Sequence, residues 1–559
     1  MTKFQSYVIK EIKRITELKD FKIEVPPDDK LGDLSFPCFQ LVNEKNKNPK
    51  AIAETLAKSF EPSKYVKEVK VVGPYLNFYA NKAELAKEII TLINEEGKSY
   101  GSQNIGKGKT IVIDYSSPNI AKPFGIGHLR STVIGNSLYK TLNFLGYKCV
   151  GVNHLGDWGT QFGKLIYAYQ NWGSEEELKK NSISHLFSLY VKFHQEVKTN
   201  PALEDEGRAW FNKLEHGDAE ATRLWELFRK ISIEEFKKYY KELNIEFDSY
   251  SGEAFYNKVL GETVEFFEKK KMTEMSEGAM VVNLDKLKIP PLMLRKSDGA
   301  TTYATRDLAA AMYRVKTYKP AKMLYVVGTP QKLHFEQLFT VLSKAGYKDD
   351  MFEHINFGHL RFNDGKMSTR EGNIIFLEEV LDKAIELAMK TIKEKNPDLS
   401  DKEKVAKVIG IGSVIFADLS NDRTKDIVFD WDKILNFEGE TAPYIQYAYA
   451  RICSIFKKVH ENNSEPKYEE MTTAQEARLV KMLAGFPALI ADSAAHRKPS
   501  LIARYALDLA QAFNEFYHAC PIMTAYPELK AARLELCKAT KQVIFNSMYL
   551  LGIGVVDEM

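Results

Sequence analysis

The residues Gly125-Ile-Gly127-His128 bring together two glycines and an imidazole where chain direction changes. They lie within Asp114-Tyr-Ser-Ser-Pro-Asn-Ile-Ala-Lys-Pro-Phe-Gly-Ile-Gly-His-Leu-Arg-Ser131. A β-branched run, Lys109 to Asp114, precedes them, and from Leu129 to Gly146 apolar residues recur at helical spacing. A helix that opens after a strand offers unpaired N–H groups and the positive end of its dipole, both suited to a phosphate. Gly125 and Gly127 allow a base or phosphate to come close to a main chain that a Cβ would otherwise guard. His128 adds a ring N–H for an anion. The stretch reads as a nucleotide site.

The elements that must position this loop follow from the flanking patterns. Ile111 to Asp114, the helix from Leu129 and the run Tyr147 to Asn153 form a βαβ unit. Parallel strands joined in this way predict an α/β fold, a doubly wound, Rossmann-like parallel sheet with its site at the carboxyl ends of the strands. The second strand delivers Asn153-His-Leu-Gly-Asp-Trp-Gly-Thr-Gln161 to the same edge. Residues 171–245 are helical and charged and read as an insertion whose charges form a solvated face. Strand patterns return at Met280–Asn283, Leu292–Lys296 and Met323–Val327, the last ending at Gly328-Thr-Pro-Gln331-Lys-Leu-His334. Thr305 reads as an N-cap, which would put Asp307 in a first helical turn, where the dipole keeps it ionised. Phe357 to Asn373 is polar and glycine-flanked and reads as a mobile loop.

Three domains are predicted: a small N-terminal α/β module over 1–100, the α/β domain over 107–435, and an all-helical bundle over 436–559. In the first, Gly73-Pro74 turns between two β-like runs, and Tyr75 and Phe78 fit a sheet face or core as well as a base-stacking surface. Apolar and charged contents of 44% and 27% fit ordinary globular cores, and a net charge of +3 neither requires nor excludes nucleic acid. Five scattered cysteines, none in a Cys-x-x-Cys pair, argue for a reducing compartment and against a zinc site. Met1 to Asp20 holds no apolar run of signal or membrane-spanning length, so a cytoplasmic protein with no membrane partner is expected.

The glycine loop, the insertion, a Lys366-Met-Ser-Thr-Arg370 loop after the last strand and the helical tail occur in one order. This arrangement resembles a class I aminoacyl-tRNA synthetase. The wording of Ser116-Ser-Pro-Asn-Ile-Ala-Lys-Pro123, Gly156-Asp-Trp-Gly-Thr-Gln-Phe-Gly163 and Thr441-Ala-Pro-Tyr-Ile-Gln-Tyr-Ala-Tyr-Ala-Arg451 resembles the arginyl-tRNA synthetase family, across essentially the whole chain. The resemblance implies a ligase that joins L-arginine to tRNA(Arg) through arginyl-adenylate, using ATP with Mg2+ on its phosphates. Members commonly need tRNA before they activate arginine, and a monomer is expected.

What the resemblance implies about residues is specific. His128, Lys122 and Lys366 are the catalytic candidates, with Gly125, Gly127, Met367, Ser368 and Arg370 also at ATP. Asp307, Tyr303 and Glu253 would receive the guanidinium, a planar fork that pairs bidentately with carboxylates. Asp114, Ser117, Asn119 and Gln331 would meet the amino and carboxylate end. Tyr75 and Asn77 are candidates for the tRNA elbow, and Tyr444, Tyr447, Arg451 and Arg504 for the anticodon; the same tyrosines fit a bundle core. Two positions depart from the family pattern. Gly125 stands where the first histidine of His-x-Gly-His belongs, and Thr369 replaces the second lysine of Lys-Met-Ser-Lys-Ser. Lys122, or alternatively Arg370, would supply the missing charge. A different class I synthetase would share the nucleotide loops without Glu253, Tyr303 and Asp307. A non-catalytic tRNA-binding paralogue would fit the two departures, against which the retained His128, Lys366, Asn119 and Asp307 argue.

Overall fold

The computed structural model describes residues 1–43, 47–362, 376–436, 439–459 and 464–559. Lys366, Met367, Ser368, Thr369 and Arg370 lie outside the described residues.

The N-terminal module is a three-stranded antiparallel sheet with helices packed against it. Its strands are β1 (Leu34–Pro37), β2 (Val66–Val72) and β3 (Tyr75–Ala80), in the order β1-β3-β2. Phe4, Val8, Ile12, Phe36, Leu76 and Phe78 fill its core, so Phe78 belongs inside. Asn77 is a correction to the expected tRNA surface. It is 3% exposed, and its Oδ1 accepts from Ser35 Oγ at 2.6 Å across the β1–β3 pair. Its oxygen is thus engaged within the sheet, which leaves Tyr75 the more accessible of the two expected tRNA contacts. The helix Lys82–Glu96 turns Ile89, Ile90 and Ile93 towards the main core, packing on Ala474–His496 and Pro527–Leu551. The module's own core thus closes near Ala80 rather than residue 100.

The central sheet has four parallel strands: β4 (Thr110–Asp114), β5 (Lys148–Val152), β9 (Lys322–Tyr325) and β10 (Phe352–His354), in the order β10-β9-β4-β5. The chain moves outward from β4 to β5 and then returns to the far side of β4. The sheet therefore splays at the β4–β9 edge, where a ligand crevice opens. A small antiparallel sheet, β6 (Glu274–Ser276), β7 (Ala279–Val282) and β8 (Leu292–Arg295), precedes β9, and β6 is absent from the sequence reading because its three residues are all exposed. After β10, β11 (Leu360–Phe362) pairs in parallel with β12 (Ile427–Phe429).

The β4–β5 crossover is the helix Leu129–Phe144, preceded by a 3-10 turn over Ile126–His128. At Gly135 it lies so close to the sheet that a Cβ would stand 2.3 Å from the Tyr115 ring. Residues 171–245 form helices, of which Ala219–Glu242 buries Leu224, Phe228, Phe236 and Tyr240 in the main core while its outer face keeps the charges. The C-terminal part is a bundle of long helices, chiefly Ala442–Lys458, Ala474–His496, Pro499–Ala519 and Pro527–Leu551.

Candidate active site

β4 ends at Asp114, and there the chain turns through a loop with three non-glycine residues in left-handed backbone: Ser116 (φ 71), Ser117 (φ 50) and Ala121 (φ 58). Such strain persists only where surrounding bonds over-determine it. Ser116 N–H donates to Ser131 Oγ (2.9 Å), its hydroxyl meets Tyr240 OH (2.7 Å), and Ser117 N–H donates to Asn153 Oδ1 (3.2 Å). Ala121 N–H donates to Ser232 Oγ (2.8 Å), and Ile120 N–H to the carbonyl of Gly156 (3.2 Å). Ser232 and Tyr240 come from the insertion helix, so the insertion holds the loop in shape. Gly156 is forced by proximity: a Cβ there would sit 2.1 Å from Asn119 Oδ1.

At the end of the loop, the helix Leu129–Phe144 has no side-chain cap on its first N–H groups. Gly127 faces open space, with nothing within 4 Å of where its Cβ would be. His128 is pushed below the usual imidazole range by burial and by the nearby charge of Lys122, against a pull from the Gly125 carbonyl. Its Nδ1 is buried and finds no hydrogen-bond partner among the described residues. Lys122 Nζ lies 4.4 Å from the centre of the Tyr190 ring, on the insertion helix Ser182–Thr199. The Lys-Met-Ser-Thr-Arg stretch is bracketed by described residues: the chain leaves β11 at Phe362 and re-enters beside the glycine loop, where Phe376 bridges Gly125 and Leu377 N–H donates to the Phe124 carbonyl at 2.8 Å.

Across the crevice, the helix Tyr303–Tyr318 carries Tyr303 and Asp307 one turn apart. Its N-cap is Thr302, whose hydroxyl accepts from Thr305 N–H; Thr305 is buried and its own hydroxyl donates to Leu294 O at 2.6 Å. Asp307 therefore lies in the second turn, beyond the strongest reach of the dipole. Neighbours hold its charge instead. His334 Nε2 lies 2.7 Å from Oδ2, and His154 Nε2 lies 3.6 Å from Oδ1, an electrostatic contact rather than a hydrogen bond. Burial alone would raise the Asp307 carboxyl, but the two imidazoles outweigh it and keep it well below the usual range. His154 is correspondingly raised: burial opposes its charge, and Asp307 with Asp114 more than compensates. Tyr303 is 62% exposed, its ring 4.9 Å from that of His334.

Glu253 opens a short 3-10 helix and is tied by its N–H to the Leu155 carbonyl (3.0 Å). Burial lifts its carboxyl to about 7, helped by the charge of Asp307 and opposed by His154 and Arg306. Asp157 supports this turn: it is fully buried, accepts from Ala254 N–H (2.8 Å) and Arg229 Nε (2.9 Å), and its carbonyl accepts from Trp225 Nε1 (2.7 Å). Asp114 is 5% exposed, bonded to Ser117 Oγ (2.9 Å) and the buried Arg314 (2.6 Å). Asn119 and Gln331 are exposed at the rim, Gln331 at the end of the turn after β9. The structure thus gathers Asp114, Ser117, Asn119, Lys122, Gly125, Gly127, His128, Glu253, Tyr303, Asp307 and Gln331 around one edge. It adds His154, His334, Arg314 and Tyr240, which sequence reading passed over. The two histidines did carry a signal, because each lies in a strand-exit segment at the predicted site edge.

Away from this edge, Tyr444, Tyr447 and Arg451 line a cavity of about 940 Å³ in the bundle. Arg451 lies 4.7 Å from the Tyr447 ring and 5.2 Å from the Tyr517 ring, and Tyr444 OH accepts from Asn514. Arg504 is outside that cavity, paired with Glu440 and Asp508 at 2.9 Å each. Tyr75 is half-buried, edge-on to Phe39.

Comparison with known families matches residues 89–431 to the class I (R) tRNA synthetase catalytic domain. Residues 2–80 match the arginyl tRNA synthetase N terminal domain and residues 445–559 the DALR anticodon binding domain. The chain belongs to the arginyl-tRNA synthetase family. An arginine–tRNA ligase of Clostridium perfringens is 49% identical, covering 100% of this chain and 98% of the relative. One from Clostridium botulinum (Loch Maree) is also 49% identical over the full length of both. Among solved structures, the arginyl-tRNA synthetase of Thermus thermophilus superposes with a TM-score of 0.83 at 25% identity, covering 99% of each chain. That of Plasmodium falciparum gives 0.81 at 26%, covering 100% of this chain and 98% of that one. In this family setting the crevice between Asp307 and the glycine loop is the candidate catalytic centre.

Proposed function

We propose that the chain activates L-arginine with ATP and transfers the arginyl group to the terminal ribose of tRNA(Arg). The observation that carries this reading is Asp307, kept ionised by two imidazoles with Glu253 nearby, at the same carboxyl edge of the parallel sheet as a helix N-terminus that has no side-chain cap. The acids receive a guanidinium, and the helix end receives a triphosphate. In the first step the arginine carboxylate attacks the α-phosphorus, the α–β P–O bond breaks and pyrophosphate leaves. In the second, the 2′-OH of the tRNA attacks the arginyl carbonyl and AMP leaves. Both steps need positive charge and donors around phosphate and no protein nucleophile.

In this scheme Asp307, Glu253 and Tyr303 bind the side chain of arginine, and Ser117, Asn119 and Gln331 its other end, with Asp114 acting through Ser117. Lys122, His128 and Lys366 stabilise the phosphates, with Met367, Ser368 and Arg370 beside them. Mg2+ would be carried on the ATP phosphates, where it screens their charge. Tyr75 and the bundle residues Tyr444, Tyr447, Arg451 and Arg504 are assigned to the tRNA. One chain carries all three parts, which a monomer requires, and five buried, unpaired cysteines suit a reducing cytoplasm. No described helix is long and apolar enough to cross a membrane.

Pyrophosphate exchange with each amino acid, run with and without tRNA, tests the reading. Exchange that depends on arginine alone is expected. Its absence under both conditions, from a folded sample, would overturn the assignment.

A further inference from the structure

The helix Leu129–Phe144 carries a group that the proposed reaction does not use. Three turns beyond the glycine loop, the ammonium of Lys140 is shut off from solvent and meets no hydrogen-bond acceptor among the described residues. The Tyr549 ring lies 4.9 Å from it, and burial pulls its pKa down to about 8. Lysine ordinarily extends its head into water, so an amine buried without an acceptor is costly unless something else meets it.

A cavity of about 380 Å³ adjoins this residue. Its walls come from four parts of the molecule: Lys140 on the helix Leu129–Phe144, Glu242 and Asn244 at the end of the insertion, the face of Lys402–Leu419 bearing Val408 and Ile415, and Phe545, Tyr549 and the C-terminal tail through Val555. The lining is mostly apolar. Its ionisable groups are Lys140, Lys404 and Lys407 against Glu242 alone, and Glu242 is already engaged by Lys407 at 2.7 Å. A concave, apolar cavity of this size with a convergent unbalanced cation has the make-up of a small-molecule site. Tyr549 is 48% exposed, so its ring can turn aside from the ammonium without giving up core packing.

We propose that this cavity binds a small organic anion: one carboxylate at Lys140 and an apolar body of roughly five to seven carbons against the wall. Lys404 and Lys407 are exposed and keep their water, so the one ammonium shut off from solvent takes one negative charge, and a phosphate dianion would leave surplus charge out of water. Occupation adds contacts between the catalytic helix and the bundle, and the site stands whether or not the aminoacylation reading holds.

Equilibrium dialysis of the full chain with radiolabelled hexanoate tests this. One saturable site per chain is expected. Lys140→Met keeps the stem and removes the charge, and should weaken binding by about tenfold or more while the unfolding temperature is maintained. Hexylammonium should show no saturable site. Absence of a saturable hexanoate site, equal affinity in Lys140→Met, or equal binding of hexylammonium overturns the proposal. If Lys140→Met does not fold, crystals of the unaltered protein soaked in 6-bromohexanoate decide: an anomalous bromine peak in the cavity supports the site, and its absence refutes it.

Discussion

At Asp307 two imidazoles from separate strand exits converge on one carboxylate, and the charge needed for a guanidinium is held by tertiary neighbours. Asp307→Asn is therefore expected to lower kcat/KM for arginine by about two orders of magnitude, roughly 3 kcal/mol, mainly through KM. His334→Phe keeps the ring beside Tyr303 and removes the donor; a rise in KM of about fivefold with kcat little changed is expected, near 1 kcal/mol. Steady-state exchange kinetics separate the two effects. Glu253 gives a pH dependence. With its carboxyl near 7, it is protonated below that value, and arginine must displace the proton to pair with it. Arginine affinity should fall as pH drops from 8 to 6, approaching about tenfold per unit, with proton release visible in calorimetry in two buffers. Glu253→Gln should flatten the slope, and a flat wild-type profile would exclude this role. For stability the sign is opposite to that of an ordinary ion-paired acid. The folded chain holds this proton more tightly than the unfolded one, so the contribution is present below 4.5 and is lost as pH rises through 7.

The strand, loop and helix around Asp114 to Ser131 were legible from local pattern, down to the helix start at Leu129. The role of the insertion was not, because its outer charges mask an inner face that touches the loop only after folding. Ser232 and Tyr240 fix the left-handed turns, and Tyr190 covers Lys122. Lys122→Ala should lower single-turnover arginine activation by about a hundredfold with arginine binding little changed. Tyr190→Leu should cost about 1 kcal/mol, roughly fivefold, in the same step, and Tyr190→Phe should restore it, since the ring face rather than the hydroxyl meets the ammonium. Unchanged activation in both Lys122→Ala and Tyr190→Leu would remove this pair from the mechanism.

Arg130 joins distant parts of the molecule. It is 1% exposed, pairs with Asp418 at 2.9 Å, and donates to the carbonyls of Gly358, Lys425 and Arg423 at 2.7, 2.9 and 3.3 Å. These carbonyls sit beside β11 and β12, at the entrance to the Lys-Met-Ser-Thr-Arg stretch. Burial raises Asp418 to about 6 even with Arg130 beside it. Arg130→Met strands one acid and three carbonyls, and is expected to destabilise the fold by about 3 kcal/mol in denaturant unfolding. Pyrophosphate exchange should slow as well. Full stability and full exchange in Arg130→Met would show that the bracket has no mechanical role.

By itself the sequence determined the elements, the order of the signature segments and the family, because strand and helix periodicity and short motifs are written within a few residues of each other. Tertiary structure alone decided that Asn77 is inside, that Thr302 rather than Thr305 caps its helix, and that Asp307 answers to His154 and His334. It also decided that Asp114 faces Arg314 and Arg130 faces Asp418, pairs separated by 200 and 288 residues. No local pattern encodes such partners: burial selects them, since a charge taken out of water must find its counterpart wherever packing brings one.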